Sequence, residues 1–291
     1  MPVPHAFDED APWPYRHLIA ANGEGKMIER GSRARIEPLE RPGFAAGAVE
    51  DLLTGARLLR QAFLETPVRL ARRDTPLARA GDPEPAIFLL HSGFAYRSCP
   101  LTDGRRAILD ILVSGDVTGL DHIVSASPIE DIAAADRLSY RALGAAAVRA
   151  LMADQPIALH ILALIAEARW RGDRLAASLG RLDAHARICL MLLDIYERLH
   201  RRALINRPNF NLPFTQEQIA DHLGLTLVHV NRTLRRLREE RLVLVDRQVV
   251  IIKDLDRLRD LVRSSCPSVD LPEPAPSIVE AVNAAMVPVL S

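Results

Sequence analysis

The spacing of apolar residues changes twice along the chain, and each change predicts a different kind of secondary structure. Residues 1–50 have no sustained period and are rich in Pro, Gly and charged residues, so we expect an irregular N-terminal extension. Apolar residues at helical spacing then predict a short amphipathic helix over Val49–Phe63. Beyond it, short apolar runs between turn signals are typical of an antiparallel sandwich or barrel. These runs are Val68–Ala71, Ile87–Leu90, Phe94–Ser98, Ile108–Val113 and Ile132–Ala135.

Glycine supplies the turn signals in this region. Asp103-Gly104 is the strongest hairpin signal, because glycine accepts the positive φ that a tight turn requires. Gly81-Asp82, Ser92-Gly93 and Gly115-Asp116 are the other signals. We therefore assign residues 51–150 to one β-domain.

Helical spacing returns at Ala145 and continues through one long helix, predicted from Asp154 to Ser178. Its a/d seam consists of Ile157, Ile161, Leu164, Ala168, Arg171 and Leu175. Apart from the arginine, this seam is apolar and needs a partner, and we favour the same helix of a second copy across a two-fold axis. Packing against the chain's own β-domain is the alternative. A second helix, over Ala184–Arg202 with Asp183 as its N-cap, is predicted next.

Two shorter helices around a tight turn are predicted after residue 214. Thr215 caps the first helix and Gln218 completes a capping box, while Gly224 supplies the helix stop and Thr226 caps the second helix. An ordinary helical hairpin is the alternative, but two β runs around a three-residue turn follow, which gives the order helix, turn, helix, wing. The runs and the turn are Leu242–Val245, Asp246–Gln248 and Val249–Ile252.

Charge is concentrated in the second of these helices, although the 37 basic and 37 acidic residues of the chain cancel. Between Thr226 and Arg241 there are five arginines and two glutamates. DNA binding requires a basic face on one element and not a basic protein, so double-stranded DNA is the expected partner. The candidate DNA-contacting residues are Thr215, Gln216, Thr226, Leu227, Val228, His229, Asn231, Arg232, Arg235 and Arg236. A signalling module whose C-terminal domain binds protein is the rival class, and a cupin-type enzyme is a third.

Over about Val68 to Val262 the sequence resembles the Crp/Fnr family of bacterial transcription regulators. The motifs that carry the resemblance are Gly115–Gly119, similar to the family's GDxxG, together with Thr215–Ala220, Leu223-Gly224 and His229–Leu234. The resemblance implies an α+β fold with an N-terminal antiparallel β-roll, a long dimerisation helix and a C-terminal winged helix-turn-helix. It also implies a cytoplasmic, non-enzymatic homodimer that binds an inverted-repeat operator and has RNA polymerase as a further partner.

Several positions depart from the family pattern. Leu120 stands where cAMP-binding members have a glutamate, and Glu130-Asp131 fall where an Arg-Ser pair holds the phosphate, so we expect that cAMP is not the effector. Val228 stands where many members have a glutamate that reads cytosine, whereas the arginine that contacts guanine is retained as Arg232. We therefore expect an operator that differs from the usual half-sites.

Cofactor chemistry has no clear signal in the sequence. Cys99, Cys189 and Cys266 form no CxxC pair and cannot supply four cluster ligands, so we interpret them as structural thiols, with a redox role for Cys99 or Cys189 left open. Three histidines in or next to the β-domain lack metal-ligand spacing; they are His91, His122 and His160. We expect no metal, no other cofactor and no membrane span.

The expected organisation is therefore an extension, a β-roll, a dimerisation helix, a DNA-binding domain and a tail. Their ranges are 1–50, 51–150, 151–182, 183–264 and 265–291. The tail begins Pro-rich and ends with an apolar helix-like pattern, and we favour a short helix that docks on the body over a frayed extension.

Overall fold

The computed structural model describes residues 46–125 and 130–265. The extension predicted before residue 46 and the tail from residue 266 lie outside the described residues. Helix α1 spans Ala46–Leu64, so it begins earlier than predicted and crosses the expected domain boundary at residue 50. None of the helices in the described part of the chain combines the length and the apolar content that a membrane crossing requires.

Strands β1 to β8 form two antiparallel four-stranded sheets, which we call the β-roll. One sheet has the order β1-β8-β3-β6 and the other β2-β7-β4-β5. Their apolar residues face one another in a buried core, because side chains alternate between the two faces of a strand. The strands are β1 (Arg69–Ala71), β2 (Pro76–Ala78), β3 (Ala86–Ser92), β4 (Phe94–Pro100), β5 (Arg106–Val113), β6 (Val117–Thr118), β7 (Asp131–Ala134) and β8 (Leu138–Gly144).

The five predicted strands are present, and three strands were not predicted. β2 and β6 are too short for an alternating pattern, and β8 mixes polar and apolar residues. Gly104 has a φ of 82° in the turn between β4 and β5, which confirms the predicted hairpin. A 3-10 helix, Leu120–Ile123, follows β6.

Two helices follow the β-roll, α2 (Ala145–Leu151) and α3 (Gln155–Arg181). The Asp154 side chain caps α3 by accepting a hydrogen bond from the Ile157 N–H at 3.2 Å. Helix α1 lies so close to α3 that a Cβ placed at Gly55 would be 1.9 Å from the carbonyl oxygen of Pro156. This approach is possible because glycine has no Cβ.

The burial of α3 corrects the predicted dimer seam. Ile157, Ile161 and Leu164 are buried within the single chain, in one cluster with α1 and the β-roll. Ala168 and Leu175 are partly buried as well. The seam therefore packs on the chain's own domain, which was the alternative interpretation.

The C-terminal part begins with α4 (Ala184–Arg201), which Asp183 caps as predicted. Its buried residues join those of β4 and β5 and of the later elements in one continuous core. The predicted β-domain and DNA-binding domain therefore share apolar packing. The later elements are β9 (Asn209–Asn211), α5 (Gln216–Leu223), α6 (Leu227–Glu239), β10 (Val243–Asp246), β11 (Val249–Ile252) and α7 (Leu255–Ser265).

Candidate nucleic-acid interface

Helix α5 begins and ends as the sequence predicts. The Thr215 hydroxyl accepts a hydrogen bond from the Gln218 N–H at 3.1 Å, and the Gln218 side chain accepts one from the Thr215 N–H at 2.9 Å. This reciprocal capping box satisfies two N–H groups that the helix leaves without partners. Gly224, with φ 60° and ψ 38°, ends the helix in the left-handed region.

Helix α6 follows after a tight turn, with Thr226 as its N-cap. The Thr226 hydroxyl accepts a hydrogen bond from the His229 N–H at 3.3 Å, and the His229 Nδ1 lies 3.0 Å from the same oxygen. Val230 and Leu237 are buried against the rest of the domain. The two helices thus have the arrangement of a helix-turn-helix, in which the second helix presents its outer face to DNA.

Every predicted DNA-contacting residue is solvent-exposed. The exposed set is Thr215, Gln216, Thr226, Leu227, Val228, His229, Asn231, Arg232, Arg235 and Arg236. Gln216, Asn231, Arg232 and Arg235 line one groove between α5, α6 and the wing, together with Arg238 and Val245.

The arginines of α6 differ in their partners. Arg236 donates to Glu240 at 2.7 Å, and this hydrogen bond raises the pKa of its guanidinium. Glu240 also lies 3.1 Å from the His185 ring, which places Arg236 in a contact between α6 and α4. Arg232, in contrast, has no hydrogen bond or ion pair with any described residue. Of the predicted arginines, Arg232 is therefore the one most available for an external partner.

The wing differs from the prediction in its turn. Asp246 pairs with Val249, so the turn has two residues and not three. The turn residues Arg247 and Gln248 have φ values of 43° and 73°, as a type I′ hairpin requires at both central positions. Glycine or asparagine is the usual signal for this turn, which explains the wrong prediction.

A buried aspartate connects the β-roll to α4. Asp116 accepts hydrogen bonds from the Val113 N–H at 2.7 Å, from Arg202 at 2.7 Å, and from Arg198. The same arginines donate to the carbonyl oxygens of Ile111 and Ser114, both at 2.8 Å. Burial opposes ionisation of Asp116, but the two guanidinium groups outweigh it and hold the pKa of the carboxyl well below its usual value. We call Asp116, Arg198 and Arg202 the clamp.

Further polar contacts hold the helix-turn-helix and α3 against strand β5. Arg106 lies 3.2 Å from Asp221, and the His222 Nδ1 is 3.0 Å from the Ile108 carbonyl oxygen. Arg171 lies 3.0 Å from Asp110, although its position in the predicted seam implied a place at the dimer interface. An arginine within an otherwise apolar seam was the available signal that this position faces a carboxylate.

A cavity of about 510 Å³ lies between the β-roll and α3. Its lining is mostly apolar, with Arg97 and Arg171 among its polar residues. Arg97 donates two hydrogen bonds of 2.5 Å to Glu130, which is buried. Arg97 therefore compensates the charge of Glu130, one of the two carboxylates at the position where cAMP-binding members hold the phosphate.

The cysteines and histidines are the residue types of this chain best suited to redox chemistry and metal binding. Burial raises the pKa of the Cys189 thiol to about 12, which keeps it protonated and unsuited to a redox role, whereas Cys99 is partly exposed. Cys266 lies outside the described residues. His160 is buried, which lowers its pKa to about 4, and the His122 Nδ1 lies 2.7 Å from the Ala86 carbonyl oxygen. Across residues 46–125 and 130–265, no group of three or more potential ligands could hold a metal ion.

Comparison with known proteins gives consistent results. A family model described as a Crp-like helix-turn-helix domain matches residues 186–261. The nitrogen fixation regulation protein FixK of Azorhizobium caulinodans is 30% identical over 208 residues, which cover 69% of this chain and 80% of that protein. The transcriptional regulatory protein btr of Bordetella pertussis is 23% identical over 226 residues, covering 77% of this chain and 89% of that protein.

A solved structure, that of FixK2 from Bradyrhizobium japonicum, aligns with a TM-score of 0.62 and 25% identity. The alignment covers 67% of this chain and 96% of the FixK2 chain. The c-di-GMP responsive global regulator CLP of Xanthomonas campestris aligns at 19% identity with a TM-score of 0.53, over 72% of this chain and all of that one. The CLP likeness supports the fold alone.

Proposed function

Because the chain belongs to the Crp/Fnr family of transcription regulators, we propose that it binds an inverted-repeat operator as a homodimer and that α6 enters the major groove. The observation that carries this proposal is Arg232, which is exposed and has no partner among residues 46–125 and 130–265, on the outer face of a capped helix. Arginine is well suited to the O6 and N7 acceptors of guanine. Arg235, whose exposed ion pair with Glu239 is 3.6 Å long, is the candidate phosphate contact, whereas the shorter 2.7 Å ion pair of Arg236 with Glu240 makes Arg236 a weaker candidate.

The dimer is proposed to form through the outer face of α3. Leu162 and Ile165 are 57% and 41% exposed there, and Leu179 is exposed on the same face. This face keeps the four-and-three spacing of a coiled-coil seam through Ala158, Leu162, Ile165, Arg169, Gly172, Ala176 and Leu179. A second copy of the helix would cover these apolar groups, which are unfavourable in water.

Binding-site selection on the purified protein tests the proposal. We expect an inverted repeat with half-sites about one helical turn apart. Arg232→Ala should cost roughly 1–3 kcal/mol on the best site and relax the preference at one guanine per half-site. Arg235→Ala should weaken all sequences alike, and Arg105→Ala, on the exposed β4–β5 hairpin, should change nothing. Selected sequences that are unchanged by Arg232→Ala would refute this placement of the helix.

The effector is proposed not to be a cyclic nucleotide. Leu120 offers no carboxylate, and the arginines that line the cavity, Arg97, Arg169 and Arg171, are already paired with Glu130, Asp173 and Asp110, so a cyclic phosphate would have to displace one of these pairs. Isothermal calorimetry with millimolar cAMP and cGMP should show no saturable heat. A dissociation constant in the low micromolar range would contradict this.

Two further expectations follow from the family. We propose the cytoplasm as the compartment, because the operator is there, and RNA polymerase as the protein partner. Transcription in vitro from a promoter that carries the selected operator tests the second. Output that does not change on adding the protein would count against it.

A further inference from the structure

Two apolar side chains are exposed on the face that is proposed to meet DNA. Leu227 and Val228, the first residues of α6, are 49% and 63% exposed. We propose that this pair reads the C5-methyl groups of thymines next to the guanine that Arg232 contacts. This inference rests on the proposed function and adds to it the chemistry by which the half-site is chosen.

The argument starts from what the major groove offers to an apolar group. Guanine, adenine and cytosine present polar donors and acceptors at their edges, and thymine adds a methyl group. When α6 docks, the side chains at its N-terminus lose water. An apolar side chain over a donor or acceptor would leave that group without a hydrogen bond, which is unfavourable. Over a thymine methyl, the same side chain removes apolar surface from water on both partners.

The polar neighbours of the pair already have partners within the helix. The His229 ring lies against the Thr226 hydroxyl at 3.0 Å, and the Asn231 Nδ2 donates to the Leu227 carbonyl oxygen at 3.1 Å. Both side chains are therefore held locally at this end of α6. The apolar side chains of Leu227 and Val228 make no such hydrogen bond, and about half or more of each is exposed to solvent.

The position of the pair also sets the register. Val228 is four residues before Arg232, which is about 6 Å along the helix axis. Successive base pairs are about 3.4 Å apart, so the thymine should lie one or two base pairs from the guanine.

The charge around the pair favours DNA over an apolar protein surface. Arg232 lies four residues after Val228 on α6 and lines a groove with Arg235 and Arg238, and it has no partner among the described residues. An apolar protein docking on the pair would have to desolvate these guanidinium groups, whereas DNA brings phosphates to them. The occupant is therefore a thymine-containing operator.

Deoxyuridine substitution tests the inference directly, because uracil differs from thymine only by the missing methyl. The native operator is first obtained by site selection, and each thymine of a half-site is then replaced in turn by deoxyuridine. Binding is measured by fluorescence anisotropy at constant salt. We expect one or two positions per half-site at which the replacement weakens binding about fourfold per methyl, the equivalent of burying one CH₂ group.

Variants assign this loss to the pair. Leu227→Ala and Val228→Ala should each remove the sensitivity to deoxyuridine at one position. Val228→Glu should shift the selected base towards cytosine, because a carboxylate accepts a hydrogen bond from the cytosine N4 amino group. Leu70→Ala, which truncates an exposed leucine on β1, is the matched control and should behave as the native protein.

The outcomes separate this inference from the proposed function. Selection of an inverted repeat with deoxyuridine sensitivity that the two alanine variants abolish supports both. The methyl readout is overturned, and the proposed function stays intact, if an inverted repeat is selected but its thymines tolerate deoxyuridine. The same holds if both alanine variants keep the native sensitivity to deoxyuridine. A loss of binding to a protein partner in Val228→Ala, with DNA selection unchanged, also overturns it. Absence of any sequence preference in the native protein refutes the proposed function itself.

Discussion

Replacing Asp116 by asparagine should destabilise the protein more than a change of similar size elsewhere. The side chains of Asp116, Arg198 and Arg202 are only 3%, 4% and 4% exposed, so water cannot solvate the guanidinium groups once the carboxylate is lost. Asparagine preserves the shape and one acceptor oxygen but removes the negative charge. Two arginines then face a neutral amide in a buried site.

The magnitude follows from the geometry of the clamp. At an effective dielectric constant near 20, two unit charges 4 Å apart interact by about 4 kcal/mol, and Asp116 has two such partners. Part of this energy offsets the cost of burying the charges. Asp194, which lies 3.5 Å from Arg198, still compensates part of the charge of Arg198 after the substitution. Removing one partner of a buried pair typically costs about 3–5 kcal/mol, and we expect Asp116→Asn to lie in that range.

Urea unfolding followed by circular dichroism measures the effect. Asp103→Asn is the matched control, because it breaks the pair of Asp103 with Arg105, which is largely exposed. Water screens an exposed pair, which therefore contributes little to stability, so the control should remain close to the native protein. If Asp116→Asn costs less than about 1 kcal/mol, the clamp does not stabilise the fold and our account of it is wrong.

Three other predictions concern packing, protonation and association. Gly55→Ala should lower the free energy of unfolding by about 1–3 kcal/mol, because the added Cβ forces α1 away from α3. Gly180→Ala is the control, because the space around its Cβ is open, and it should not destabilise the protein. Equal losses of stability in thermal unfolding of the two variants would show that the close approach of α1 and α3 is absent. The pKa of His160 in the folded protein is about 4, below the ordinary 6.5, because burial disfavours the charged imidazole. The free energy of unfolding should therefore be highest above pH 6.5 and fall by up to about 3 kcal/mol as the pH drops towards 4. His160→Leu should flatten this part of the pH–stability profile, and an unchanged profile would contradict the prediction. Ile165→Glu, on the exposed face of α3, should give a folded monomer in sedimentation and circular dichroism, whereas Ile161→Glu, at a buried position, should give an unfolded chain. A folded monomer from Ile161→Glu would instead support the seam that the sequence predicts through Ile161.

Local sequence signals predicted the DNA-binding part well because its caps and turn depend on neighbours a few residues apart. The Thr215 capping box and the Gly224 helix stop are of this kind. The wing turn was predicted wrongly for the same reason, since Arg247 and Gln248 adopt positive φ values without the usual residue types. There the strand pairing determines the turn against local preference.

Helix α3 shows what periodicity cannot decide. The pairs Ile157-Ala158, Ile161-Leu162 and Leu164-Ile165 are apolar at both members, so two adjacent seams have the same spacing. Which seam turns inward depends on α1 and the β-roll, and these contacts are not visible in a local pattern. The clamp was missed for a similar reason, because Asp116 and Arg198 are 82 residues apart in sequence.

The clamp also bears on how a signal in the β-roll could reach the DNA-binding helices. Val117, Thr118 and Gly119 line the cavity beside α3, and the adjacent Asp116 binds α4. An occupant of the cavity would therefore touch backbone that is directly bonded to the acceptor of the clamp. Helix α4 in turn shares its core with the recognition helix α6. The charged clamp and the shared core therefore join the wall of the cavity in the β-roll to the DNA-binding helices.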